Sequence, residues 1–205
     1  MNFKKDKYAV IRNAISKDLA AFIANYFYME KQVYDTCKEA KYISPFEIML
    51  GAYNDPQIPN TYCQYGNIAM ETLMLKCQPE MEKVTGLKLY PAYSYARIYK
   101  PGDELKRHKD RFSCEISTTM NLGGDPWPIY LEPSGETGKK GVKVDLKQGD
   151  MLVYRGCELE HWREKFKGKE CVQVFLHYND VKTKNAKENM FDRRPHLGLP
   201  AWFRK

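Results

Sequence analysis

Of the four histidines in this 205-residue chain, His108 and His161 stand where a metal could be held. His108 lies two residues before Asp110 in "ELKRHKDRFSCEIS", residues 104–117, and His161 follows Asp110 by 51 residues in "GDMLVYRGCELEHWRE". Two imidazoles and one carboxylate can fill one face of an octahedral metal and leave three positions open. Such a site suits non-haem Fe(II) oxygen chemistry, in which oxygen and a bidentate co-substrate both need room. The rival reading makes "HKD" a solvated charged turn and His161 a satisfied core histidine. Spacing alone leaves both open.

The elements around these residues must close the gap between them. The N-terminal stretch reads as a short strand followed by a helix, with Ser16 as N-cap. Leu19, Phe22, Ile23, Tyr26 and Phe27 recur there at helical spacing. Residues 41–66 hold three prolines and several Gly and Asn, an irregular stretch suited to a lid or a wall. A second helix is expected from Asn67 to Thr85, stopped by Gly86, with Leu73, Met74, Cys77, Met81 and Val84 as its apolar stripe. Both stripes read as core.

From about residue 87 the period changes from 3.6 to 2. "KLYPAYSYARIY", "SCEISTTMNL", "WPIYLEP", "VKVDL", "MLVY" and "ECVQVFLHY" alternate between Gly- and Pro-bearing turns, and "VKVDL" and "MLVY" around "KQGD" read as a hairpin. Two helices followed by about eight short strands predict an α+β chain: a jelly-roll or cupin-like barrel buttressed by N-terminal helices. In that barrel the gap between Asp110 and His161 is four or five strands, enough to return the chain to the mouth beside His108. One domain is expected over 1–205. It comprises a helical buttress and irregular loop (1–86), a jelly-roll core (87–180) and an irregular tail (181–205) whose Trp202 and Phe203 pack back on the body.

Composition narrows the function classes. Hydrophobic residues make up 43% and aromatics 13%, with no run of eighteen apolar residues, so no membrane span is expected. The N-terminus lacks the apolar stretch of a secretory signal, and a cytoplasmic protein is expected. The six cysteines, at 37, 63, 77, 114, 157 and 171, form no CxxC pair and read as free thiols rather than a zinc ribbon. The net charge of +7 is spread along the chain, with modest clusters at 100–111, 139–147 and 163–169. That pattern fits a solvated surface, and no nucleic-acid recognition motif is present. A basic nucleic-acid-binding domain with an incidental HxD stands as the remote alternative.

"RIYKPGDELKRHKDR" resembles the Y-x-P-G…H-x-D segment of the Fe(II)/2-oxoglutarate-dependent dioxygenases, in particular their prolyl 4-hydroxylase-like branch. "QGDMLVYRG…EHW" is similar to that branch's approach to its distal histidine. The resemblance covers roughly residues 87–180. It implies a double-stranded β-helix with Fe(II) held by His108, Asp110 and His161. Tyr99, nine residues before His108, would hydrogen-bond 2-oxoglutarate. Oxygen is the second co-substrate and ascorbate the expected reductant. The substrate would be hydroxylated with release of succinate and CO2. The retained Asp110 argues against a halogenase, which needs that position open for halide.

The same resemblance implies an Arg or Lys nine or ten residues after the distal histidine, to pair with the far carboxylate of 2-oxoglutarate. Here the sequence departs, with Glu170 and Cys171 at those places. Lys169, preceded by Gly168, is the nearest match. Strand parity would put it on one face with Cys171, Gln173, Phe175 and His177. Arg163 is the rival, and Arg111 and Arg97 are also placed for the role. Trp127, Tyr130, Tyr95 and Trp162 are aromatics that either wall the pocket or fill the core. A peptide or protein proline is the favoured substrate and a small metabolite the other. A metal-binding cupin-like module without turnover is the alternative function.

Overall fold

The computed structural model describes residues 3–205. A short helix, α1 (Phe3–Asp6), leads into β1 (Tyr8–Ile11) and the long α2 (Lys17–Glu39). Ser16 caps α2 by accepting the Leu19 amide at 3.2 Å. The irregular segment then ends in β2 (Tyr62–Tyr65) and α3 (Ile68–Thr85). Asn67 caps α3 through the Met70 amide, and Gly86 ends it at φ +70, a conformation glycine adopts without strain.

Eight strands follow: β3 (Leu89–Tyr99), β4 (Leu105–His108), β5 (Ile116–Gly124), β6 (Ile129–Leu131), β7 (Val142–Val144), β8 (Met151–Arg155), β9 (His161–Arg163) and β10 (Cys171–Asp180). They make two antiparallel sheets, ordered β1-β8-β5-β10-β3-β2 and β4-β9-β6-β7. From β3 onward the chain passes back and forth between the sheets, which is the winding of a double-stranded β-helix. Because of that winding, the expected hairpin around "KQGD" does not form. β7 pairs with β6, β8 pairs with β5 and β1, and the turn at Gly149 carries the chain from one sheet to the other.

The helices cover the outer face of the six-stranded sheet. Ala20, Ile23, Ala24 and Phe27 of α2 and Met70, Leu73, Met74, Cys77 and Met81 of α3 share one core with Met120, Val153, Val172, Val174 and Leu176. Two expectations need correction. Phe22 is 70% exposed and Tyr26 lies at the surface, because α2 turns its small residues inward: Ala20 and Ala24 let the helix approach the sheet at Gly123. Trp202 and Phe203 are exposed as well, since the tail is held by polar contacts rather than by its aromatics. All six cysteines are free. No helix of the described residues is long and apolar enough to cross a membrane.

Candidate metal centre

His108 ends β4 and His161 begins β9, and the two are direct cross-strand partners. Pairing within the four-stranded sheet therefore bridges 53 residues of sequence, placing the imidazole centroids 4.2 Å apart. Asp110 sits just beyond β4, in the loop before the 3-10 turn Phe112–Cys114. Its Oδ1 lies 3.6 Å from His108 Nε2 and 3.5 Å from His161 Nε2. One ligand atom from each residue falls within 4.8 Å of the others.

The remaining polar atoms of the triad are already committed. His108 Nδ1 meets the Lys106 carbonyl at 2.8 Å, and His161 Nδ1 meets that of Leu159 at 3.1 Å. Each Nδ1–H is thereby fixed as a donor, which leaves both Nε2 lone pairs facing Asp110, the arrangement a metal-ligating histidine needs. Asp110 Oδ2 accepts from Ser117 Oγ at 2.8 Å, and its amide donates to the Gly156 carbonyl at 2.9 Å. Gly156 is required here, because a Cβ would collide with Asp110 Oδ2 and the Cys114 carbonyl. Burial works against the Asp110 charge, yet the two imidazoles, each able to carry a proton toward it on Nε2, outweigh it and hold the carboxyl well below the usual range. Burial likewise works against a charged His108, and the contact with Asp110 overrides it, raising this histidine.

A cavity of about 330 Å³ opens over the triad, walled by Tyr93, Tyr95, Arg97, Leu105, Phe175 and His177 among others. Three of its features shape the site; strand parity already placed the first, His177, on this face, and the other two escaped the sequence reading. His177 is fully buried with Nδ1 3.0 Å from Ser117 Oγ, and burial pushes it down to about 4, so it stays neutral. The irregular segment supplies the other two. Asp55 accepts from Arg97 and from Tyr95 Oη, each at 2.5 Å. Gln57 accepts from Arg97 at 2.7 Å, and its Nε2 stands 3.1 Å from His108 Nε2. The only sequence signal for either was that the segment could wall a site.

The basic candidates separate clearly. Lys169 is exposed and precedes β10, its amide held by Asp125, so the parity that places Cys171, Gln173, Phe175 and His177 inward does not extend to it. Arg163 lies in the barrel interior at 1% exposure. It donates to the Trp127 carbonyl, to Thr119 Oγ1 at 3.1 Å and to Gln173 Oε1 at 3.4 Å, and its buried Nε has no partner. No carboxylate pairs with it among the described residues, and burial pulls it below the ordinary arginine range. Tyr99, also fully buried, packs edge-on to Trp127 and accepts from Arg97 at 3.3 Å. Arg163 and Tyr99 form the layer just behind the cavity, next to Leu105 and Phe175. Arg97 is paired with Asp55 in the cavity wall, and Arg111 is paired with Asp192 at the rim. Of the four aromatics, Tyr95 walls the cavity, Trp127 lies behind it, and Tyr130 and Trp162 stack on each other.

No family pattern matches the chain, and no curated protein matches it. Solved structures do match its fold. A Pseudomonas putida prolyl-4-hydroxylase superposes with a TM-score of 0.55 at 15% identity, over 87% of this chain and 95% of its own. The viral collagen prolyl hydroxylase of Paramecium bursaria chlorella virus-1, in complex with 2-oxoglutarate, gives 0.59 at 12% identity over 87% and 98%. The α-ketoglutarate-dependent epimerase SnoN of nogalamycin biosynthesis gives 0.64 at 12% identity over 88% and 80%. What this chain shares with all three is the fold, a double-stranded β-helix.

Proposed function

We propose that the chain is an Fe(II)- and 2-oxoglutarate-dependent dioxygenase that hydroxylates its substrate and releases succinate and CO2. The observation that carries this reading is the convergence of His108 Nε2, Asp110 Oδ1 and His161 Nε2, with every other polar atom of the triad already bonded. Two neutral imidazoles and one carboxylate suit a divalent iron and leave it open positions. When bound, the iron and 2-oxoglutarate supply the oxidising chemistry; the protein binds, orients and shields.

Arg163 would hold the far carboxylate of 2-oxoglutarate. A guanidinium buried without an anion costs several kcal/mol, and an anionic ligand offsets that cost. Thr119 and Tyr99 lie beside it to complete the polar end of the pocket. Burial keeps His177 uncharged, and it steadies Asp110 through Ser117 without drawing a proton from it.

A prolyl residue is the proposed substrate, supported by the resemblance around Tyr99–Arg111 and by the two prolyl hydroxylases among the structural neighbours. SnoN shows that the fold also serves other reactions, so the substrate must be tested apart from the class. The deciding experiment measures succinate formed from 2-oxoglutarate with Fe(II), ascorbate and oxygen, in the parent and in Asp110→Ala, with and without a proline-rich peptide. Turnover lost in Asp110→Ala establishes the class, and stimulation by the peptide establishes the substrate. Metal binding by the parent without 2-oxoglutarate binding would leave a cupin-like metal module in its place.

A further inference from the structure

Two of the three candidate ligands stand on paired strands, but Asp110 stands on a loop. What aims that loop is found at Asp192, 82 residues beyond Asp110. Arg111, the next residue, donates to Asp192 through both arms of its guanidinium, 2.9 Å to each carboxylate oxygen. Ser113 Oγ adds a third bond to Asp192 at 2.7 Å, and Arg111 also reaches Ser113 at 2.5 Å. Asp192 is itself fixed from the far side, by Tyr65 Oη at 2.8 Å and Arg204 at 2.9 Å. It is 1% exposed, a buried carboxylate with donors from four residues.

The backbone beneath it is strained. Phe191, Asp192 and Arg193 lie at φ +57, +55 and +64, three consecutive non-glycine residues in the left-handed region. Each such residue costs on the order of 1 kcal/mol, and a run of them persists only where the surroundings over-determine it. Here the surroundings are the bonds to the ligand loop, together with Asn189, which reaches Ser113 and Asn179. Asn179 in turn holds the Phe112 carbonyl at 2.9 Å. Every residue from Arg111 to Ser113 is thus tied to the tail or to the end of β10.

We propose that Asp192 is a positioning residue for the metal site: through the Arg111 fork and Ser113 it sets the orientation of Asp110. The tail of the chain is then a working part of the site. This inference rests on the metal-centre reading, and its test separates the two. Co(II) affinity would be measured by chelator competition, and the d–d absorption of bound Co(II) recorded, for the parent, Asp192→Asn, Asp192→Glu and Arg111→Gln. Thermal stability of each metal-free protein would be measured alongside.

Substitutions that disorient a metal ligand typically lower affinity 10–100-fold, and that loss with an altered d–d spectrum is expected for Asp192→Asn. Asp192→Glu, which keeps the charge, is expected to recover part of it. Arg111→Gln guards against simple unfolding, because its side chain is 47% exposed and its removal leaves the core intact. The same loss at unchanged metal-free stability supports the clamp. Affinity and spectrum within twofold of the parent in Arg111→Gln would overturn it, whatever Asp192→Asn does. Failure of the parent itself to bind Co(II) or Fe(II) would instead overturn the metal centre.

Discussion

His108 and His161 each hold a backbone carbonyl with Nδ1, and the Asp110 side chain is bonded on its outer oxygen, so three lone pairs face one point, where the Gln57 amide touches that of His108. Removing one of the three is expected to abolish turnover while leaving the fold intact: Asp110→Ala should show no iron-dependent succinate formation and a parent-like circular dichroism spectrum. Arg163 poses the opposite balance. Its charge is buried without a counter-ion, so Arg163→Met, of similar length, is expected to raise the stability of the metal-free protein by roughly 2 kcal/mol in urea unfolding. The same change should weaken 2-oxoglutarate binding at least about a hundredfold, the order lost when a buried charge pair loses one partner. Lys169→Ala, at an exposed site, should change neither. These residues were unequally legible. His108, Asp110 and His161 could be singled out as a group because HxD and a distal histidine are chemically distinctive, and the fold brings them together. The buried cation is legible only as a rival, because counting nine or ten residues from His161 points to Lys169 rather than to Arg163, two residues on along β9. In the fold, Arg163 is on β9 and its neighbours Thr119 and Gln173 come from β5 and β10.

At the scale of elements, the change of period from 3.6 to 2 near residue 87 located the barrel, and the Asn67 and Gly86 signals located α3, because caps and periodicity are local physics. Partner choice is not local: the "KQGD" turn has hairpin chemistry, yet β7 pairs with β6 in one sheet and β8 with β5 and β1 in the other. The segment between α2 and β2 is the least legible part and bears directly on the site. Asp55 pins it to Arg97 and Tyr95 on β3, and Gln57 thereby presents an amide to His108 Nε2. A metal must displace that hydrogen bond to use the lone pair. A net hydrogen bond is worth about 1 kcal/mol, so Gln57→Ala is expected to tighten Fe(II) binding about fivefold in chelator competition. Equal or weaker binding would mean that the amide does not compete.

At the scale of the whole molecule, the tail closes the structure with charges in place of an apolar plug. Arg194 and Glu71 make a 2.7 Å ion pair with both side chains buried, and Arg194 also donates to the Ala92 carbonyl, joining tail, α3 and β3. Deleting one partner of such a pair leaves the other charge stranded, and Glu71→Ala is expected to cost about 3 kcal/mol in urea unfolding. Asp192 adds a pH dependence with a definite sign. Burial alone would raise its carboxyl; the hydrogen bonds from Arg111 and Ser113 and the Arg111 charge outweigh that and bring it down to about 2, from an ordinary 3.8. A folded-state value below the unfolded one stabilises the protein above the unfolded value, and that contribution disappears as pH falls through the folded one. The stability gap between the parent and Asp192→Asn should therefore be full at pH 6, begin to close below about pH 4 and be nearly gone near pH 2. Urea unfolding of both proteins at pH 6, 4 and 3 measures it. A gap that stayed constant across that range would show that Asp192 supports the fold by shape alone, with no contribution from its charge.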